Sequence, residues 1–241
     1  MTISIKQTGP TCGIYAMLNG LYNLNKIKSK SVTKKQTDDV VCDLLSKNVI
    51  TKRGIAINGN TFLGEFFDLN LYRMFLDNNL EIFNQATGCE DIKYDVSIKN
   101  IEHLNSKELI MKLQQNKCFV LFSLCTNKRP TKVHIISHWV SIVGYDNKTS
   151  KYIVVDSLKG KIKKYSLEQL YQGNNRQQDA QFQWENFKIG KFQYWEHPCG
   201  LHPVKKHVKE QYNKKTAYLK EGIIKHEVPH TSGEMIVIEK L

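Results

Sequence analysis

The sequence predicts an α+β fold: a helical lobe over about residues 1–105 packed on an antiparallel β-sheet lobe over about residues 106–241, the two making one domain. Three observations lead there. An apolar run with helical spacing starts at Ile14, directly behind Thr11-Cys12-Gly13. Two apolar strand-like runs, 138–145 and 152–155, flank a turn of Asn147-Lys148-Thr149. A further run, Met235-Ile236-Val237-Ile238, closes the chain. With 241 residues and 41% hydrophobic content the chain can bury a substantial core.

Taken in order, Ile14, Met17, Leu18, Leu21 and Tyr22 have the three-and-four spacing of a helix with one buried stripe. Thr11 takes the N-cap position and Pro10 stiffens the approach. Thr37 to Val49 reads as a second helix, with Thr37 as its cap, Asp38 and Asp39 in the first turn and Cys42 on the apolar face. Residues 52–61 are turn-rich, and Gly54, Gly59 and Gly64 form no phosphate-binding pattern. Phe62, Phe66, Leu69, Arg73 and Leu76 stand near helical spacing, which predicts a helix over 62–78 covering the first. Residues 81–84 and 94–98 read as short strands, and Cys118 opens a core strand. In the strand at 138–145, His138, Val140 and Ile142 share one face and Trp139, Ser141, Val143 and Tyr145 the other, so it is largely buried. Residues 233–239 form a closing strand at a sheet edge.

Cys12 stands in the first turn of the first helix. A thiol attacks a carbonyl only as thiolate, and the unpaired N–H groups and partial positive charge of a helix start favour that form. Gly13 leaves the thiol side of the turn open. Gln7 carries a side-chain amide that can join the Cys12 backbone N–H in cradling the oxyanion formed on attack. A lone cysteine is more often a small buried hydrophobe, so Cys12 gains weight as a nucleophile through its partners.

Those partners are His138 and Asp156. A hairpin turning on Asn147-Lys148-Thr149 pairs Asp146 with Ser150 and Tyr145 with Lys151, which sets His138 opposite Leu158. Asp156 is then the diagonal neighbour of His138 on the same face, about 7–8 Å away at Cα. There a carboxylate can accept the ring N–H, fix its tautomer and stabilise the imidazolium. A two-residue loop would reverse the parity and put Asp156 on the opposite face. His134 shares the parity of His138 but precedes the apolar strand, which suits a loop or surface position.

The stretches from Gln7 to about Leu24 and from Ser106 to about Gly173 resemble the papain-like cysteine peptidase superfamily, specifically its C39-like branch. Ser106 to Leu113 resembles the helix ahead of the sheet and Cys118 to Leu124 the central strand. His138 to Asp146 resembles the strand bearing the catalytic histidine, and Tyr152 to Ser157, with Gly160 and Tyr165 to Leu170, the aspartate strand and its exit. The resemblance implies a papain-like fold with Cys12 as nucleophile, His138 as general base, Asp156 as orienting acid and Gln7 as oxyanion donor. The spacing from Gln7 to Cys12 is shorter than the family usually carries. It further implies a peptidase acting through an acyl-enzyme, in limited processing of a peptide or protein terminus. An acyltransferase using an amine or alcohol acceptor, and a non-catalytic binding protein on the same fold, are the alternatives that spacing leaves open.

The formal charge of +12 is distributed diffusely, with two basic loops at Lys26 to Lys35 and Lys205 to Lys215. Neither has the interleaved aromatics of a nucleic-acid platform, so an acidic peptide or protein substrate is the better complement. The six cysteines have no paired close spacing and are read as reduced thiols. His197, Cys199, His202 and His207 match no standard zinc pattern, and no metal or cofactor is expected. The aromatic-rich segment 183–195 reads as core. No run approaches the roughly 20 apolar residues of a membrane span, and the start leaves no room for a signal peptide, so a cytoplasmic protein is expected.

Overall fold

The computed structural model describes residues 2–7, 11–48, 66, 69–126, 137–177 and 231–241. His134, the aromatic segment at 183–195, the cluster from His197 to His207 and the second basic loop lie outside them. The fold is α+β. Strands β1 (Tyr94–Asn100), β2 (Cys118–Cys125), β3 (Ser137–Asp146), β4 (Lys151–Asp156), β5 (Lys161–Tyr165) and β6 (Glu234–Lys240) make one antiparallel sheet. Their spatial order is β1-β6-β2-β3-β4-β5.

Helices cover both faces. On one side lie α1 (Cys12–Leu24), α2 (Lys34–Asn48) and α3 (Leu69–Thr87), whose apolar residues share a core with Phe119, Leu121, Trp139, Val143 and Val155. On the other lie α4 (Lys107–Gln114) and α5 (Leu167–Asn175), which close over Val120, Phe122, Val140, Ile142 and Val154. Ser106 caps α4 and a Ser166–Gln169 capping box starts α5. Residues of β2 are buried on both faces, which is why that strand reads as an apolar run broken only by Ser123.

Several expectations need correction. Helix α1 is buried almost throughout rather than along one stripe, because it lies between the sheet and the outer helices. Gly20 permits this contact, since a methyl there would overlap the Phe119 ring. Helix α2 starts before Thr37. Thr33 and Gln36 exchange reciprocal bonds, Thr33 N–H to Oε1 at 3.0 Å and Gln36 N–H to Oγ1 at 3.2 Å, a capping box that overrides Thr37. Thr37 is instead buried, its hydroxyl on the Thr33 carbonyl. Residues 81–84 are helical, since Tyr72, Phe75, Leu76, Asn79 and Phe83 continue one buried α3 stripe. Strand β6 is interior rather than at an edge, flanked by β1 and β2. Strand β1, inside the stretch assigned to the helical lobe, is itself part of the sheet.

The N-terminal segment is tied down by two helix asparagines. Asn23 accepts from Ile3 N–H at 2.8 Å and donates to Ile3 carbonyl at 2.9 Å. Asn19, one turn earlier, does the same for Ile5 at 2.7 and 3.1 Å. The two amides act as a partner strand for residues 3–5, satisfying backbone groups that burial would otherwise orphan.

Candidate active site

Cys12 opens α1 with Thr11 at the N-cap, whose carbonyl accepts from Tyr15 N–H at 3.1 Å and whose side chain makes no capping bond. The turn is walled by aromatics. Tyr72 donates to the Gly13 carbonyl at 2.6 Å, stacks on Phe66 at 4.1 Å and meets Trp139 edge-on at 4.8 Å. Trp139 Nε1 in turn donates to the Phe66 carbonyl at 2.9 Å. Gly13 does not open the thiol to substrate, as the sequence suggested: it is buried, and a methyl there would overlap Phe66. Its role is packing.

The Cys12 sulfur accepts the backbone N–H of Trp139 at 3.5 Å. The last β4 residue paired with β3 is Val155, opposite Ser141, and beyond it no described strand pairs with the β4 side of β3. Strand N–H groups lie in the sheet plane, and the sulfur therefore enters that plane where the ladder ends. His138 is the next residue back along β3.

His138 Nε2 lies 3.0 Å from Asp156 Oδ1, with both residues buried at 3% and 5% exposure. The Cys12 sulfur, on the N–H of the adjacent Trp139, neighbours the same ring. With Nε2 on the carboxylate, Nδ1 is the nitrogen left for the thiol. Burial is the largest influence on the ring and disfavours its charge. The Asp156 bond together with Cys12 outweighs it and raises His138 to about 9. Asp156 is likewise pushed up by burial, but His138 and Lys163 hold it well below the usual carboxylate range. Tyr72 is pushed well above its ordinary value by burial and by the neighbouring Cys12.

Asp156 is fully engaged. Oδ1 also accepts Leu158 N–H at 3.0 Å, and Oδ2 accepts Lys163 Nζ at 2.6 Å. Gln7 is anchored to the next residue: its N–H donates to the Ser157 carbonyl and Ser157 Oγ donates to its Oε1, each at 2.8 Å. With Oε1 held there, Nε2 is the donor end of that amide, the end an oxyanion needs. Gly160, at φ +59° and with Lys6 Cβ 3.0 Å from where its own Cβ would lie, lets the Gln7 segment pass close to this turn.

The structure thus gathers Cys12, His138 and Asp156 into one buried cluster and fixes Gln7 beside Asp156. Sequence reasoning missed Lys163, Ser157, Tyr72 and the Asn19–Asn23 pair. The alternation of β5 could have flagged Lys163, which stands opposite Val154 and so shares the face of Asp156. The other described cysteines, 42, 89, 118 and 125, form no disulfide with one another, and burial pushes the Cys118 thiol up to about 12. Among the described residues no group of His, Cys, Asp or Glu is placed to hold a metal, and no helix is long and apolar enough to cross a membrane. No protein-family model matches the chain, and no curated protein matches it.

Proposed function

We propose that the chain is a papain-like cysteine peptidase of the C39-like kind, acting on an acidic peptide or protein by limited processing near a terminus. The observation that carries this reading is the His138 ring bound at 3.0 Å to a buried Asp156 while the Cys12 sulfur lies on the N–H of the next residue, Trp139. Two catalytic groups and an orienting acid from residues 12, 138 and 156 have no packing reason to converge, since buried charge is costly unless it is used or paired.

In the proposed reaction His138 takes the Cys12 proton and Asp156 stabilises the imidazolium. The sulfur attacks the scissile carbonyl, and the Cys12 N–H and Gln7 Nε2 receive the oxyanion. The imidazolium then protonates the leaving amine, and water activated by the neutral ring releases the acyl group from sulfur.

Two measurements test it. Iodoacetamide should label Cys12 at least tenfold faster than the other cysteines, and His138→Ala should abolish that preference. Active protein added to a lysate should create new peptide termini that Cys12→Ala does not. Equal slow labelling of all six thiols, or unchanged terminus formation by Cys12→Ala, would overturn the assignment.

A further inference from the structure

We infer that Lys163 is a positioning residue of this site: it clamps the Asp156 carboxylate in place beside His138, and its charge sets the pH at which the imidazolium gives up its proton. The inference rests on reading Cys12, His138 and Asp156 as a reacting triad.

Strand pairing puts two lysines on the Asp156 face of β5. Lys161 is directly opposite Asp156 and Lys163 is opposite Val154. The diagonal one makes the bond, Lys163 Nζ to Oδ2 at 2.6 Å. Oδ1 is left to His138 Nε2 and Leu158 N–H, at 3.0 Å each. One carboxylate therefore serves two cations, one oxygen to each. A carboxyl group bonded through a single oxygen can rotate about its Cβ–Cγ bond, whereas one held at both oxygens has a fixed plane. Lys163 supplies the second hold, and the plane it fixes points Oδ1 at the imidazole.

The same bond has an electrostatic consequence. Charged and titratable groups reach this cluster from every side: Cys12 from α1, Asp156 from β4, Lys161, Lys163 and Tyr165 from β5, Lys159 from the turn between those strands, and Arg176 at the end of α5. Lys159, Lys163, Tyr165 and Arg176 line a groove of about 460 Å³ that has Asp156 in its wall. Lys163, with its side chain 34% exposed, reaches the 6% exposed carboxylate from that groove. Its positive charge draws on the carboxylate that stabilises the imidazolium and repels the imidazolium directly. Both effects favour the neutral ring, the form that can accept the Cys12 proton. Without Lys163, His138 would be the one cation bonded to Asp156 among the described residues, with Leu158 N–H still on Oδ1, and the ring would hold its proton to higher pH.

The test is an NMR pH titration of the His138 ring in histidine-labelled full-length protein, assigned by loss of the signal in His138→Gln. Lys163→Met should move the His138 midpoint up by about one pH unit, a tenfold change in proton affinity at the effective dielectric of a partly exposed pair. Lys163→Arg, which keeps the charge, should restore the wild-type midpoint. Lys161→Met removes the same charge from the same face but not the bond, and should move it by less than about a third as much. Lys163→Gln is measured alongside, since its polar tip suits the groove if methionine disturbs folding. A His138 midpoint unchanged in folded Lys163→Met or Lys163→Gln, or moved equally by Lys161→Met, would overturn the inference. So would loss of folding in both neutral variants with Lys163→Arg intact, which would make the lysine purely structural. The titration reads a ring rather than turnover, so failure of the peptidase assignment would show in Cys12 labelling and leave the titration outcome standing.

Discussion

Asp156→Asn removes one oxygen and one charge, and the cost follows from counting donors. Among the described residues three groups donate to the carboxylate: His138 Nε2, Leu158 N–H and Lys163 Nζ. None of them can accept a hydrogen bond while protonated. A carboxamide has one acceptor oxygen and an NH2, so whichever way it turns, its NH2 confronts a donor. If the oxygen stays with His138 and Leu158, the NH2 faces Lys163; if it turns to Lys163, the imidazolium faces the NH2. Breaking a buried ion pair on one side costs about 3–5 kcal/mol. Lys163 is one-third exposed and can turn into water, which relieves part of that and leaves about 2–4 kcal/mol. Urea denaturation at pH 6, where the ring is charged, reads the loss directly. The same substitution in a Lys163→Met background should cost about 1 kcal/mol less, because one of the opposed donors is gone. A loss below about 0.5 kcal/mol, or an equal loss in both backgrounds, would refute the donor count.

Stability should also depend on pH through the same pair. His138 rises from its ordinary 6.5 to about 9, so its contribution is complete below 6.5 and lost as pH climbs to 9, about 3 kcal/mol in all. Asp156, held low, contributes above its ordinary 3.8 and loses that on acidification; urea midpoints should therefore plateau from about pH 4 to 6.5, and His138→Gln should lack the alkaline decline. Asn19→Ala should cost about 1–3 kcal/mol by orphaning the Ile5 backbone groups, with hydrogen exchange at Ile5 accelerating before exchange in the sheet. Gly20→Ala should cost about 1–3 kcal/mol through overlap with Phe119, and Phe119→Leu in the same chain should recover part of the thermal midpoint.

What could be read from the sequence was what depends on local pattern. The α1 period with Cys12 at its start, and the buried strands carrying His138 and Val154, are visible in short windows. Short windows also misled. Residues 81–84 look like a strand in isolation, and only the longer stripe from Tyr72 to Phe83 reveals the helix. Thr37 with two following acids imitates a cap, while the true cap is the Thr33–Gln36 pair one turn earlier. Other roles arise only in three dimensions. Asn19 and Asn23 look like polar breaks in an apolar helix, yet they hold the chain leading to Gln7. Lys163 looks like one of many surface lysines, because the alternation of β5 marks its face, and only the pairing of β5 with β4 shows that Asp156 lies on that face. The interior place of β6 depends on which strands it meets, and those come from distant parts of the sequence.

The register of the β3–β4 hairpin shows how local and tertiary rules combine at the site. The turn holds four residues, 147–150, so Asp146 pairs with Lys151 rather than with Ser150. Carried straight through, that shift would put His138 and Asp156 on opposite faces, since one residue of slip inverts every side chain. A bulge intervenes: Gly144 pairs with Ile153 but Ile142 with Val154, so Val143 is an extra residue on β3. The inserted residue inverts the parity again, returning the inner half of the hairpin to the register in which His138 and Asp156 share a face. Tyr145 records the switch, packing with Tyr152 at 5.0 Å on the face opposite that of Val143. The His138–Asp156 contact at 3.0 Å therefore depends on two irregularities of opposite effect, a long turn and a bulge. Val143 fixes the second by burying its side chain against the α1 core.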